Sequence, residues 1–184
     1  MKQIYFITGN KGKVREAKEK FSPLGIEIVQ KNIGYPEIQA DSLEEVARFG
    51  VKDVEKRVDH PFILEDAGLF IDSLSGFPGV YSAFIFRTIG CEGILKLLKE
   101  KNRTAIFKSV FAYTGLNGKT QLFIGECKGK ISKEKRGKNG FGYDPIFIPN
   151  ESSKTFAEMQ TDEKNQFSHR GRSLEKLIDF LKKI

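Results

Sequence analysis

Two long strand-like runs around an Asn-Gly pair constrain the fold of this chain more than any other feature. The runs cover residues 105–113 and 120–127, and between them lies Leu116-Asn117-Gly118-Lys119. Asn-Gly favours the positive φ angles of a type I′ turn, which connects two antiparallel strands. The sequence therefore predicts a β-hairpin with a type I′ turn at Asn117-Gly118.

The first residues follow another pattern, in which a strand, a glycine turn and a helix succeed one another. Ile4-Tyr5-Phe6-Ile7 is an apolar run of strand length, and residues 9–12 begin and end with glycine. A helix is predicted from Lys13 onward, because apolar residues recur there at helical spacing. Helix and hairpin together indicate a mixed α/β fold.

Further elements complete this mixed pattern. Helices are predicted after Ser42, around residues 94–98 and over residues 174–181, with Glu45 completing a capping box on Ser42. Short strands are predicted at residues 62–64, ending at Glu65-Asp66, and at residues 145–148. Because no repeat or linker interrupts the chain, we expect one domain over residues 1–184. The order of the strands does not follow from these patterns.

Composition limits the partners and the metal chemistry. The 184 residues carry a net charge of +7, which suits anionic partners such as nucleotides, nucleic acids or membrane surfaces. With two cysteines outside any CxxC pair and only two histidines, a bound metal is expected to have oxygen ligands. No apolar run has the length of a membrane helix and no signal peptide is recognised, so a cytoplasmic location without membrane contact is expected.

Much of the positive charge lies in one basic stretch, formed by Lys128, Lys130, Lys133, Lys135, Arg136 and Lys138. A solvated loop and a phosphate-facing surface explain this stretch equally well, because charge alone does not distinguish them.

The turn after the first strand is a candidate anion site. Its residues are Thr8, Gly9, Asn10, Lys11, Gly12 and Lys13. Glycines let the backbone N–H groups point at an anion, and the helix N-terminus and two lysines add positive charge. The segment matches neither the Walker P-loop nor the GxGxxG pattern, and an ordinary βα turn remains an alternative.

An acidic pair, Glu65-Asp66, is a candidate site for a hard cation. Two adjacent carboxylates repel each other, and a cation beside them removes this cost. Oxygen ligands without a nearby histidine favour Mg²⁺ or Mn²⁺. Glu37 is a possible further ligand, while a polar turn at the end of a strand is the alternative interpretation.

Two segments in the second half offer groups that suit a purine base. Phe141, Gly142, Tyr143 and Asp144 combine aromatic faces with a hydrogen-bond acceptor. Lys164, His169 and Arg170 are donors suited to a ring carbonyl. Loop anchoring, helix capping and surface charge compete with these functional interpretations.

Five motifs in this order make the chain resemble a known family. They are TGNKGK at 8–13, EDAGL at 65–69, GFPGVYSA at 76–83, GFGYDPIF at 140–147 and SHRG at 168–171. Together they resemble the inosine triphosphate pyrophosphatase family, also called the Ham1-like family. The resemblance implies an elongated, strongly twisted mixed β-sheet with flanking helices, in two lobes around a central nucleotide cleft. It also implies a homodimer that hydrolyses ITP, dITP and XTP to monophosphate and pyrophosphate.

The resemblance also implies roles for individual residues. Residues 8–13 match the segment that holds the triphosphate, with Lys13 placed beside the reaction. Glu37 and Asp66 match the acids that bind Mg²⁺, and Asp66 also matches the proposed proton acceptor. The remaining matches are to base recognition, by Phe141, Gly142, Tyr143, Asp144, Lys164, His169 and Arg170.

The chain departs from the family pattern at two places. Ala67, a predicted substrate contact, stands where the family usually has Ser or Thr, so only a backbone contact is retained there. Lys52 is near the position of a phosphate-binding lysine on the second helix but out of register with it. Arg87 follows the GFPGVYSA segment, and the sequence leaves open whether it faces the cleft or a dimer partner.

Three alternatives remain beside this interpretation. The first is a Maf-like nucleotide pyrophosphatase that acts on pyrimidine or modified nucleotides. The second is a nucleic-acid-binding module that uses the basic stretch, although the family resemblance predicts no stable nucleic-acid partner. The third is a nucleotide-binding regulatory protein that has lost catalysis.

Overall fold

The computed structural model describes residues 2–36 and 38–183 of the chain. Its strands are β1 (Lys2–Ile7), β2 (Ile26–Lys31), β3 (Phe62–Ile71), β4 (Pro78–Gly79), β5 (Thr104–Thr114), β6 (Thr120–Ile131) and β7 (Phe147–Pro149). Its α-helices are α1 (Lys11–Phe21), α2 (Leu43–Val54), α3 (Ser82–Thr88), α4 (Gly90–Leu97), α5 (Thr161–Asn165) and α6 (His169–Leu181). Short 3₁₀ turns lie between several of them, including Asp144–Ile146.

The seven strands form one mixed sheet in the order β2-β1-β3-β5-β6-β7, with β4 pairing to β3. β1 pairs in parallel with β2 and β3, whereas the pairs β3–β5, β5–β6 and β6–β7 are antiparallel. The predicted mixed sheet with flanking helices is confirmed. Because β1 enters between β2 and β3, the turn after β1 opens beside the middle of the sheet.

The predicted hairpin is confirmed, but its predicted type I′ turn is wrong. β5 and β6 pair in register from Thr104↔Lys130 to Thr114↔Thr120. A type I′ turn requires positive φ at both central residues. Among the described residues Gly118 has φ +69°, and Asn117 is not among those with positive φ. Instead, the Gly118 N–H donates to the Gly115 carbonyl and the Lys119 N–H to the Asn117 side chain, which makes a longer loop.

β3 is longer than the sequence predicts, so the acidic pair lies inside a strand. The strand was expected to end at Glu65-Asp66, but it runs on to Ile71 and pairs with β5 over its whole length. Alternation along β3 places Glu65 on the sheet face that packs against α1 and α6, where Ile63 also lies. Asp66 is on the opposite face with Leu64, on the side of α2.

Helix ends follow the predicted capping only in part. The Ser42 hydroxyl accepts from the Glu45 N–H at the start of α2, as expected. The Glu45 carboxylate, however, accepts from the Asp41 N–H rather than from Ser42. The predicted strand at residues 145–148 is also displaced, because a 3₁₀ turn at Asp144–Ile146 comes before β7.

The buried apolar side chains form three clusters. One packs α1 and α6 on one sheet face, and a second packs α2 on the other face. The third lies around the far ends of β3, β5 and β6, with α4 and β7. Across the part of the chain that the structure describes, no helix is both long and apolar enough to cross a bilayer.

Candidate active site

A cleft of about 570 Å³ lies where the turn after β1, the middle of β3, the start of α3 and the N-terminus of α6 meet. Cavities of roughly 300–1,000 Å³ are typical of small-molecule sites. Twelve predicted site residues line it: Thr8, Gly9, Asn10, Lys13, Asp66, Ala67, Phe141, Gly142, Tyr143, Asp144, His169 and Arg170. Residues separated by more than 150 positions in sequence therefore share one concave surface.

Three predicted site residues are placed differently, and a fourth is not described. Lys11 is exposed, and neither it nor Gly12 is among the described residues that line the cleft. Lys164 is buried behind the cleft wall, where its ammonium group binds two carboxylates. Glu37, the second predicted metal ligand, lies outside the described residues.

At the turn after β1, Asn10 caps helix α1. Its side-chain oxygen accepts from the N–H groups of Gly12 and Lys13, at 2.8 and 3.1 Å. Two of the amides that the glycine pattern suggested for anion binding are therefore already hydrogen-bonded to the cap. Lys13 remains a cation on the cleft wall, and its ammonium donates to the Glu65 carbonyl at 2.9 Å.

Gly12 has a packing role that the anion hypothesis did not foresee. A Cβ at this position would lie 2.4 Å from the Phe141 ring, so only glycine lets that ring approach the turn. Phe141 is in turn within 5.1 Å of the Lys164 ammonium and 5.2 Å of the Arg170 guanidinium, measured to the ring centroid. The first and last thirds of the chain meet at this aromatic ring.

A buried ionic network lies beneath the cleft floor. Lys164 binds Glu16 at 2.8 Å and Asp144 at 2.7 Å, and Arg170 binds Glu16 at 2.5 Å and Glu65 at 2.9 Å. All five side chains are buried. Because buried charges are stable only when paired and hydrogen-bonded, this network fixes the groups that were predicted to recognise the base.

The pKa values of the carboxyl groups follow from this pairing. Burial alone would raise the pKa of Glu16, but the Arg170 guanidinium and Lys164 ammonium lower it to about 2. Burial likewise opposes ionisation of Glu65, yet Arg170 and Lys13 hold its pKa below the usual value. At Asp144 burial prevails, with the nearby Glu16 charge adding to it, and the pKa is raised despite the Lys164 ion pair.

His169 combines complete burial with an unpaired nitrogen. Its ring stacks on Phe107 with centroids 4.4 Å apart and planes 10° apart. Burial, together with the charges of Arg170, Lys164 and Lys13, lowers its pKa well below 6.5, so the imidazole is neutral near pH 7. Among the described residues, its Nδ1 atom has no hydrogen-bond partner. A neutral imidazole on the cleft wall can both donate to and accept from a ligand.

The segment that matched GFPGVYSA supports the opposite wall. The Ser82 hydroxyl accepts from the Leu69 N–H and donates to the Gly79 carbonyl, which holds the start of α3 against β3. The Tyr143 hydroxyl donates to the Ser82 carbonyl at 3.2 Å. Phe86 packs edge-on against the Tyr143 ring. The motif therefore joins α3 to the loop that carries Asp144.

Sequence reasoning missed several lining residues. They are Ile7, Gly34, Tyr35, Ser82, Ala83, Phe86 and Phe107, while Glu65 was considered only within the acidic pair and Arg87 was assigned no role. Nothing in the sequence marks Phe107 as a cleft residue, because its neighbours indicate only a strand. Glu16, which lies in the network rather than on the wall, was hidden in a helix with many charged residues.

Lys52 and the basic stretch lie apart from the cleft. Lys52 lines a second cavity of about 660 Å³, together with Arg48, Glu45 and Tyr81. The basic stretch is mostly exposed, and within the described residues none of its six cations lines the central cleft. Two of them pair with surface acids, Lys135 with Glu92 and Arg136 with Glu158.

The protein groups available to a metal are few. Within residues 2–36 and 38–183, no three acidic, histidine or cysteine side chains converge as a metal cage. Asp66 lies on the cleft wall, whereas Glu65 is bound by Lys13 and Arg170. Mg²⁺ commonly uses one or two carboxylates together with substrate phosphates. Of the two predicted metal ligands, Asp66 is the one that the structure describes, and it lies on the cleft wall.

Comparison with known proteins extends the likeness to nearly the whole chain. The model of the Ham1 family matches residues 4–180. The dITP/XTP pyrophosphatase of Thermococcus kodakarensis is 56% identical over 181 residues, covering 98% of this chain and 97% of that protein. The enzyme of the same name from Pyrococcus horikoshii is 55% identical with the same coverage. A solved HAM1 protein from Coxiella burnetii has a TM-score of 0.85 at 31% identity and covers 100% of both chains.

Proposed function

The chain belongs to the Ham1 family, and we propose that it hydrolyses deaminated purine nucleoside triphosphates such as ITP, dITP and XTP to monophosphate and pyrophosphate. The observation that carries this proposal is the convergence of twelve predicted site residues on one nucleotide-sized cleft. Relatives that are more than half identical are named dITP/XTP pyrophosphatases. These likenesses do not favour a Maf-like enzyme or a nucleic-acid-binding module.

The reaction that we propose is attack of water on the α-phosphorus, with pyrophosphate as the leaving group. Such a displacement requires its charges to be neutralised and its groups to be held in line. Lys13 lies on the cleft wall near Asp66 and supplies positive charge toward the phosphates. Asp66 orients the attacking water or accepts its proton.

Mg²⁺ is the metal that we propose for this reaction, with Mn²⁺ as a substitute. Asp66 and Glu37 would hold it, and when bound it would neutralise charge on the phosphate oxygens. Support comes from the carboxylate of Asp66, a hard oxygen donor on the cleft wall. We rank the metal-binding role of Asp66 above its role as a base, because a metal-bound carboxylate is a weak base.

Selectivity for deaminated purines has a physical basis in the other half of the cleft. Hypoxanthine and xanthine carry a 6-oxo group where adenine carries an amino group. His169 is a neutral imidazole with an unpaired Nδ1, and a guanidinium has five donors, so Arg170 can hold two carboxylates and still donate. A donor placed at the 6-position pairs with the oxo group and opposes adenine's own donors. We therefore propose that ATP is a poor substrate.

We also propose that the protein acts as a homodimer on the cytoplasmic nucleotide pool. Six of the described large apolar side chains that remain exposed lie between residues 77 and 97: Phe77, Tyr81, Phe84, Phe86, Ile89 and Leu97. Concentrated apolar exposure is typical of an interface, whereas isolated exposed residues are ordinary. A second copy would cover this segment, which also borders the cleft through Phe86 and Arg87.

The proposal is tested by incubating the purified protein with ITP and Mg²⁺ and separating the products by ion-exchange chromatography. IMP and pyrophosphate are expected, with turnover lost on adding EDTA and much slower with ATP, UTP or dTTP. IDP with orthophosphate would contradict attack at the α-phosphorus, and equal rates on ITP and ATP would contradict the selectivity. Tight ITP binding without turnover would favour the regulatory alternative.

A further inference from the structure

Glu65 binds two cations that come from different helices and face different parts of the cleft. Its Oε1 atom accepts from the Arg170 Nε at 2.9 Å and from the Ser109 hydroxyl at 2.7 Å. Its Oε2 atom lies 3.1 Å from the Lys13 ammonium, which also donates to the Glu65 carbonyl. Lys13 belongs to α1 and Arg170 to α6. One carboxylate therefore joins the two helices.

The surroundings of Glu65 make this arrangement rigid. Glu65 is 3% exposed and Arg170 2% exposed, so little solvent screens their interaction. β3 pairs with β5 on one side of Glu65, in register with Phe111, which fixes its backbone. A charge held by three donors at this depth restricts where Lys13 and Arg170 can point.

Asp66, the residue after Glu65, lies on the other face of the sheet. Alternation along β3 turns the Asp66 side chain to the opposite sheet face, toward α2. The two carboxylates of the acidic pair therefore lie on opposite faces of the sheet. Asp66 lines the cleft, whereas Glu65 holds cations of the protein itself.

We propose that Glu65 is a positioning residue that sets the Lys13 ammonium for catalysis and the Arg170 guanidinium for base selection. The proposal rests on the proposed function, because it assigns Lys13 to the phosphates and Arg170 to the base. Glu65 acts through these two side chains without touching the substrate. A variant that loses the charge of Glu65 but keeps its shape changes how Lys13 and Arg170 are held, while both cations remain in the protein.

Glu65→Gln provides this separation, since glutamine has nearly the same shape and still accepts hydrogen bonds. Removing a negative charge makes the cleft more positive, so inorganic tripolyphosphate is expected to bind as tightly as before or more tightly. Misplacement of Lys13 is expected to lower kcat on ITP by roughly tenfold or more. Misplacement of Arg170 is expected to reduce the preference for ITP over ATP. If Glu65 served only folding, kcat would not fall while the affinity for tripolyphosphate stayed the same or increased.

Coupling to Lys13 is measured with a double-mutant cycle. In a Lys13→Met background, Glu65→Gln is expected to lower kcat only slightly further, because its effect passes through the missing lysine. Lys13→Met alone is expected to keep the ITP preference, since Arg170 remains held. Glu126→Gln is the matched control, because Glu126 pairs with Lys108 at the surface, and its kinetics are expected to equal the wild type.

Wild-type turnover of ITP is measured first, so that failure of the proposed function is recognised before any variant is compared. With an active wild type, unchanged kcat in Glu65→Gln, or fully multiplicative effects of Glu65→Gln and Lys13→Met, would overturn the proposal. If circular dichroism shows that Glu65→Gln is unfolded, Glu65→Asp is used under the same criteria. Aspartate keeps the charge but is one methylene too short to bind both cations.

Discussion

Asp66 is the single residue on which the proposed chemistry depends most. Asp66→Asn removes the charge while its amide oxygen still accepts from the Ala67 N–H, as the carboxylate does at 3.0 Å. Turnover of ITP is expected to fall at least about a hundredfold, with thermal stability nearly unchanged. Steady-state kinetics and thermal melts measure the two effects. The control is Asp72→Asn, an exposed aspartate at the end of β3, and near-normal activity of Asp66→Asn would remove this residue from the mechanism.

Burial of the neutral His169 side chain predicts that the free energy of unfolding depends on pH through this residue. Its folded pKa lies well below 6.5, so on acidification the unfolded chain takes up a proton before the folded chain does. Its contribution to stability is therefore present above pH 6.5 and is lost as the pH falls below that value. The loss is at most about 1.4 kcal/mol per pH unit.

Denaturant unfolding at pH 7 and pH 5.5 measures this loss. In His169→Gln the decrease over that interval is expected to be smaller than in the wild type, whatever the absolute stability. His60→Gln, the same substitution at the other histidine, is measured in parallel. Equal decreases in all three proteins would show that His169 is not the group that titrates.

The ionic network contains residues that local sequence patterns identify and one, Glu16, that they do not. Asp144, Lys164, His169 and Arg170 were found as candidates because each lies in a motif. Glu16 was not found, because its partners Lys164 and Arg170 are about 150 positions away and no local pattern connects them. Local spacing identifies chemical groups, but burial and pairing depend on the packing of α1 against α6.

At the scale of elements, four of the helices (α1, α2, α4 and α6) and the hairpin were predictable, whereas α3, α5 and the course of β3 were not. Amphipathic spacing fixed α1, α2 and α6, and the Asn-Gly pair fixed the hairpin although not its turn type. β3 was expected to end at Glu65 and Asp66, because charged residues are uncommon in the buried part of a strand. It continues because Arg170 and Lys13 compensate Glu65 from distant parts of the chain.

The contact between β6 and α6 depends on one glycine. A Cβ on Gly125 would lie 2.1 Å from the His169 carbonyl oxygen and 2.5 Å from the Ser173 nitrogen. Both atoms belong to the helix backbone, so Gly125→Ala must displace α6. We expect a loss of about 1–3 kcal/mol in the free energy of unfolding and lower kcat/KM on ITP.

Gly115→Ala is the comparison for this prediction. Its added Cβ would meet the ends of two side chains, Tyr113 at 3.3 Å and Asn117 at 3.4 Å, and no backbone atom is among these contacts. Chemical denaturation and ITP kinetics of the two variants are measured together. If Gly125→Ala is as stable and active as Gly115→Ala, then the close approach of α6 is not what places His169 and Arg170.

At the scale of the whole molecule, the exposed apolar side chains predict how two copies meet. Phe84 is 57% exposed on α3, within the segment that holds most of the other exposed large apolar residues. Phe84→Glu places a charge in the proposed interface, and burying an unpaired charge is strongly unfavourable. Light scattering after gel filtration is expected to give twice the mass of one chain for the wild type and a single-chain mass for Phe84→Glu.

The matched variant lies at the other end of the molecule. Leu116 is the most exposed of these apolar residues, at 79%, but it lies alone in the turn between β5 and β6. Leu116→Glu adds the same charge and is expected to leave the dimer intact, because an isolated exposed residue does not indicate an interface. A dimeric Phe84→Glu, or a monomeric Leu116→Glu, would place the interface elsewhere. Since Phe86 and Arg87 of the same helix border the cleft, we expect a monomeric Phe84→Glu to have altered ITP turnover as well.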